Sequence, residues 1–223
     1  MANELLVEKM ISTIEMPSVR QMAERGLLNA PDYFWEIPSS SSGKYHPVDE
    51  LVRGGLVVHT LKVLYVFETL APSVVYDPAV LHGLWNYEAD CIRCAILLHD
   101  TFKNGTPNCG HTVHEHPIIA SQEFRRREIN NPLQKGVDII DSLIASHMGK
   151  WTQSKYSETI LPDPEEYEGR VAKMAKIVHL CDFLAAQKTF LNIQAFRHFM
   201  CDEDGLNIPE SCFPEWVDQV CHF

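Results

Sequence analysis

The stretch Ala95-Ile96-Leu97-Leu98-His99-Asp100 constrains this chain more than any other, because four apolar residues run directly into an imidazole and a carboxylate. An apolar helix that ends this way carries two polar groups to the edge of a core, where burial is costly unless something satisfies them. A divalent metal ion does so well, since imidazole nitrogen and carboxylate oxygen are both good ligands. One His and one Asp do not complete a coordination shell, so further donors must come from elsewhere in the chain.

Four other segments offer them. His59 follows a Gly54-Gly55 start in a run with apolar residues at 57, 58, 61, 64 and 65, the stripe of a helix. His116 opens Glu115-His116-Pro117-Ile118-Ile119-Ala120-Ser121, where Pro117 suits a first helical turn. His147 follows the amphipathic run from Val137 to Ala145, just before the helix-stopping Gly149. Asp182 sits among apolar residues in the run from Ala175 to Ala186. The predicted order is H, HD, H, H, D on five successive helical segments. His111 and His114 lie close enough to His116 to compete with it.

These stretches, GGLVVHT, LLHDTFK, HEHPIIA, ASHMGKW and VHLCDFLAAQ, resemble the HD-domain superfamily of metal-dependent phosphohydrolases, over about residues 50–190. The resemblance implies that His59, His99, Asp100 and Asp182 hold one metal ion. In members with two ions, two further His are added, which map onto His116 and His147, and Asp100 bridges. His116 is preferred to His111 and His114 because Ala120 supplies the family's small residue four positions on. The common HDIGK reads His99-Asp100-Thr101-Phe102-Lys103 here, keeping Lys103 and changing the turn. A lone His is usually a hydrogen-bonded core residue. Five ordered segments are much harder to explain by coincidence.

At 223 residues the chain suits a single domain with one core, numbered 1–223. Helical periodicity is widespread, alternation of period two is scarce, and Gly or Pro breaks the runs, so an all-α fold is predicted, with a loop-rich N-terminal extension and a short C-terminal tail. No apolar stretch reaches the ~20 residues needed to span a bilayer, and no signal peptide is evident, so a cytoplasmic protein is expected. A net charge of -11 disfavours a broad grip on duplex nucleic acid but leaves room for a nucleotide held by a metal and a few cations. The seven cysteines lack disulfide-framework spacing; Cys91 and Cys94 read as small core residues, and Cys201, Cys212 and Cys221 with His222 are too far apart for a strong zinc motif.

Several segments have both a bland and a functional reading. The helical pattern over residues 2–16 stops before Pro17 and suits packing. The Ser-rich loop around Ser39–Ser42 ends in Gly43-Lys44-Tyr45-His46, so Lys44 and His46 are candidate substrate contacts ahead of the first metal-ligand helix. Ala71-Pro72 is expected to end the His59 helix, and Asp90 to cap the next one. Arg125-Arg126-Arg127 is the one dense cationic run, ordinarily a solvated face. Lys150 and Trp151 follow His147 and are candidates for phosphate and base. Lys173 and Lys176 should face solvent.

Together these features predict metal-assisted hydrolysis of a phosphate ester or anhydride, with one or two ions drawn from Mn, Fe, Co, Ni, Zn and Mg. Asp100 would orient the attacking water and Lys103 would stabilise charge on phosphoryl oxygens. The resemblance points to a nucleotide or short oligonucleotide as substrate, with no membrane partner and self-association left open. The alternatives are a single-strand 3'-5' nuclease, a diiron oxygenase on the same fold, and a noncatalytic nucleotide-binding module.

Overall fold

Apolar residues recurring three and four apart, interrupted by Gly, Pro and Asn, give this chain one helix after another. The computed structural model describes residues 2–44, 46–74, 85–149, 169–188 and 192–212. Within them the protein is all-α, with α1 Ala2–Met10, α2 Pro17–Leu28, α3 Gly55–Val74, α4 Asn86–Leu98, α5 His116–Arg127, α6 Gln134–Ser146, α7 Arg170–Ala185 and α8 Ile193–Cys201. Short 3-10 turns cover Ile11–Thr13, Asp32–Trp35, Val48–Glu50 and Glu210–Cys212. No strand occurs among the described residues, and none of their helices is long and apolar enough to cross a membrane.

The hub is α4. From Ala89 to Leu98 every side chain is buried, and the helix packs against α2, α3, α6 and α7. A helix surrounded on all sides must be apolar all round or neutralise what is not. Its two internal charges show how that is done. Asp90 accepts the backbone N–H of Met16 at 2.7 Å and of Glu15 at 3.3 Å, and pairs with Arg93 at 2.9 Å. Arg93 in turn reaches Glu68 on α3 at 2.7 Å. Asp90 therefore does not cap its own helix, which begins four residues earlier at Asn86; it receives amides ahead of Pro17, the first residue of α2. Its partners lie 74 and 75 positions away in sequence, so local pattern could not reveal them.

Two other boundaries differ from expectation. The helix bearing His59 continues through Pro72 to Val74, and within the 2–16 pattern α1 stops at Met10 and gives way to a 3-10 turn over Ile11–Thr13, before α2 opens on Pro17. Proline is tolerated in a first turn because that N–H has no intrahelical acceptor anyway. The Ser-rich segment is partly built into the fold: Ser39 is buried and donates both its N–H, at 2.9 Å, and its hydroxyl, at 3.2 Å, to the Glu50 carbonyl. Tyr33 donates to the Gly105 carbonyl at 2.9 Å, tying the N-terminal region to the loop after the His-Asp pair. Cys91 and Cys94 are buried free thiols, as expected of small core residues.

Replacing Asp90 with Ala leaves two backbone amides and part of the buried Arg93 guanidinium without their acceptor. Stability should fall by about 2–4 kcal/mol, read from urea unfolding midpoints, with metal content per folded molecule unchanged.

Candidate metal centre

The last carbonyls of a helix have no amide of their own to receive. α4 ends at Leu98 and α6 at Ser146, and in each case the next residue is a histidine whose Nδ1–H donates to the carbonyl three residues back. His99 donates to Ile96 at 2.6 Å and His147 to Ile144 at 2.8 Å. At the start of α5, His116 makes the same bond to Val113 at 2.7 Å. A neutral imidazole that donates through Nδ1 presents a bare lone pair at Nε2.

The three Nε2 atoms converge on one carboxylate. His116 Nε2 lies 3.0 Å and His147 Nε2 3.6 Å from Asp100 Oδ1, while His99 Nε2 is 3.4 Å from Asp100 Oδ2. His116 and His147 face each other Nε2 to Nε2 at 3.3 Å. With both Nδ1–H groups given to carbonyls, neutral rings would meet here lone pair to lone pair, which is repulsive. His99 Nε2 and Asp100 Oδ1 are buried with no hydrogen-bond partner. A cation among these atoms converts the repulsion into coordination, so the donor set fits a metal ion. The negative ends of the α4 and α6 dipoles also point here, which favours positive charge.

A second lobe joins α3 and α7. His59 Nε2 is 3.0 Å from Asp182 Oδ1, which is 4.0 Å from His99 Nε2. His59, His99 and Asp100 offer ligand atoms within 4.8 Å of one another, as do His99, His147 and Asp182, and Asp100, His116 and His147. Asp182, 21% exposed, is the most solvent-accessible of the six. On its other side His59 Nδ1 lies 3.2 Å from Glu50 Oε2.

Electrostatics hold the carboxylates ionised. Burial alone would raise Asp100, yet the Lys103 ammonium beside it keeps it well below the ordinary carboxylate range. Asp182 is likewise lowered, burial being outweighed by His59 and more distant imidazoles. Lys103 donates directly to Asp100 Oδ2. Burial lowers His116 despite the opposing pull of Asp100. His59 behaves differently: burial opposes its charge, but Glu50 and Asp182 on either side raise it to about 9.

The segment that supplies all six donors matches the HD-domain family over residues 56–187. The chain belongs to the HD-domain family. No curated protein and no solved structure matches it. HD domains bind divalent metals, and the clusters in this one are of the kind that could hold them.

Of the candidates read from sequence, His59, His99, Asp100, His116, His147 and Asp182 come together, with Lys103 against Asp100. His111 is exposed and donates to the Cys109 carbonyl at 2.9 Å; His114 is exposed too, and His116 is the buried one. His46 packs edge-on against His59 with ring centroids 4.7 Å apart, while the Lys44 side chain is exposed. Lys150 and Trp151 lie outside the described residues. Lys173 and Lys176 are exposed, as expected. The cationic run is internally occupied: Arg125 pairs with Asp138 and Asp141, Arg126 with Glu123, and Arg127 donates to the Asn29 carbonyl at 3.2 Å.

Three contributors were not read from sequence. His179 donates from Nδ1 to the His147 carbonyl at 3.0 Å, locking the end of α6 to α7. Gly149 makes room for it: its φ is +56°, and a Cβ there would stand 2.6 Å from the His179 ring. Glu50 and Lys62 are the others. Lys62 is an isolated cation within an apolar helix and so announces a buried acidic partner, but not which one.

In chelator-stripped protein the raised His59 contributes stability that is fully present below its unfolded value near 6.5 and is lost as pH rises through about 9. Unfolding free energy should therefore fall by up to about 3 kcal/mol between pH 6.5 and 9, measured by urea denaturation in EDTA. His59→Gln should flatten that slope.

Proposed function

We propose that the protein is a metal-dependent phosphohydrolase that cleaves a phosphate ester or anhydride of a nucleotide or short oligonucleotide. The observation that carries this reading is the convergence of the Nε2 atoms of His99, His116 and His147 on Asp100, beside Lys103, with each ring's Nδ1–H given to a backbone carbonyl. His59, His99, Asp100 and Asp182 would hold one divalent ion, and His116 and His147 with Asp100 a second. Bound there, such an ion supplies Lewis acidity that makes hydroxide available near neutral pH and stabilises charge on phosphoryl oxygens.

The chain's own groups do the rest. Asp100, kept ionised by its surroundings, is an acceptor able to orient an attacking water without first losing a proton. Lys103 is a compact ammonium beside it, suited to the negative charge that grows as the phosphoryl group is attacked. The Nδ1–H bonds to Ile96, Val113 and Ile144 fix each ring's tautomer and direction, so little reorganisation accompanies the reaction. A small substrate is favoured over a long strand, because Arg125, Arg126 and Arg127 are already engaged with acidic groups or a carbonyl of the same chain; a sequence-independent strand groove depends on available cations.

The test is release of inorganic phosphate from nucleoside mono-, di- and triphosphates, cyclic nucleotides and short oligonucleotides, with and without oxygen, after metal analysis of the purified protein. Turnover independent of oxygen is expected. Asp100→Asn should lower kcat at least ~10³-fold and Lys103→Ala about 10²-fold, both with folded circular dichroism spectra, while His111→Ala stays within about twofold. Oxygen consumption coupled to turnover would point instead to an oxygenase, and full activity in Asp100→Asn would defeat the hydrolase reading.

A further inference from the structure

Outside the six candidate donors lies a further carboxylate, in the turn Val48–Glu50 ahead of α3. Glu50 is fully buried, and its two oxygens divide their work. Oε1 lies 2.9 Å from Lys62 Nζ, which also reaches Asp49 at 2.6 Å. Oε2 hydrogen-bonds His46 Nδ1 at 2.8 Å and lies 3.2 Å from His59 Nδ1, a buried ring nitrogen with no hydrogen-bond partner of its own. His59 thus stands between two carboxylates, Glu50 at one ring nitrogen and Asp182 at the other.

That arrangement sets His59 apart. His99, His116 and His147 use backbone carbonyls to hold Nδ1–H. His59 cannot, because it lies within the body of α3, where the carbonyls already belong to helical amides. A side-chain acceptor must replace them, and it must come from another segment. The fold builds the seat for it. A Cβ on Gly55 would lie 1.9 Å from the Glu50 carbonyl oxygen, so only glycine allows the turn Val48–Glu50 to press onto the start of α3. Ser39 fixes the same carbonyl with two hydrogen bonds. Lys62, one turn beyond His59 on the same face of α3, supplies the counter-charge that makes a buried carboxylate tolerable.

We propose that Glu50 is a positioning residue that accepts the Nδ1–H of His59, fixing its tautomer and aiming Nε2 at the metal, with Gly55 and Ser39 holding Glu50 in place and Lys62 only balancing its charge. The role rests on the metal-centre reading above. A carboxylate behind a ligating imidazole orients the ring and increases its basicity, and its loss typically weakens metal binding 10–100-fold. The Lys62 ammonium beside Oε1 argues against Glu50 being a ligand of a separate ion, since a metal there would face a fixed positive charge.

The experiment uses zinc alone, with the full chain and no substrate. Zinc affinity is measured by chelator competition for wild type, Glu50→Gln, Lys62→Met and the double variant, and the His59 Nδ1–H resonance is followed by 15N-correlated NMR of the zinc-loaded proteins. Expected are a 10–100-fold loss in Glu50→Gln and in the double variant, affinity within about threefold of wild type in Lys62→Met, and an upfield move of the His59 Nδ1–H signal wherever Glu50 is replaced. The double variant removes the cation that Glu50→Gln leaves poorly compensated, so the test survives poor folding of the single one. Wild-type affinity in the double variant would reduce Glu50 to the counter-ion of Lys62 and overturn the proposal, as would an unmoved resonance. A wild type that binds no zinc would instead remove the metal-centre reading, and this inference with it.

Discussion

The interaction on which this structure depends is the hydrogen bond from a histidine Nδ1–H to a carbonyl at the edge of a helix. Every α-helix ends with unsatisfied carbonyls, and α4 and α6 both end where the core meets the site, so His99 and His147 satisfy a demand that any helix there would make. The same bond disposes of the ring's proton on the side away from Asp100. One interaction thus caps a helix, selects a tautomer and leaves a lone pair where a cation can use it, which links fold stability to chemistry at a single atom pair.

Charge balance explains why the two lobes differ. Asp49, Glu50, Asp100 and Asp182 are four carboxylates gathered with two ammonium groups, those of Lys62 and Lys103. The deficit of positive charge falls on the His59 side, where Glu50 and Asp182 flank one imidazole and raise its proton affinity. Around Asp100 the deficit is smaller because Lys103 sits on Oδ2, and burial keeps His116 neutral. Protons and metal ions compete for the same lone pairs, so the lobe that holds a proton most firmly in the stripped protein is also the one where ion binding displaces one.

Sequence pointed to the six side chains that converge and concealed what supports them, for a physical reason. His59, His99, Asp100, His116, His147 and Asp182 stand out because a polar group in an apolar helical run needs an explanation, and each carries its own local context of stripe, Pro117 or Gly149. Choosing His116 over His111 and His114 rested on Ala120, the small residue that the family resemblance places four positions on. Glu50, Asp90 and His179 act through partners distant in sequence or through backbone atoms, and periodicity carries no information about either. The Gly54-Gly55 pair was legible as a helix start; that Gly55 admits the Glu50 backbone follows only from the close approach of the two segments. Pro72 misled because a proline in the last turn of a long helix forfeits little once tertiary packing holds the preceding turns.

The arginine run carries a further lesson about scale. Three consecutive cations in an acidic chain look like an anion site, but Arg125 lies against Asp138 and Asp141 on α6 and Arg126 against Glu123 on its own helix, so the run joins α5 to α6 and neutralises itself. The anion binding proposed above would draw on charges held within the site, where a low dielectric makes a single ammonium effective. Lys103, pressed against Asp100 and nearly buried, is such a charge. If the proposed function holds, a centre that offers Lys103, among the described residues, and whatever ions it binds would address one phosphoryl group at a time, and that suits a compact phosphate ester better than a strand whose many charges would meet a chain of net negative charge.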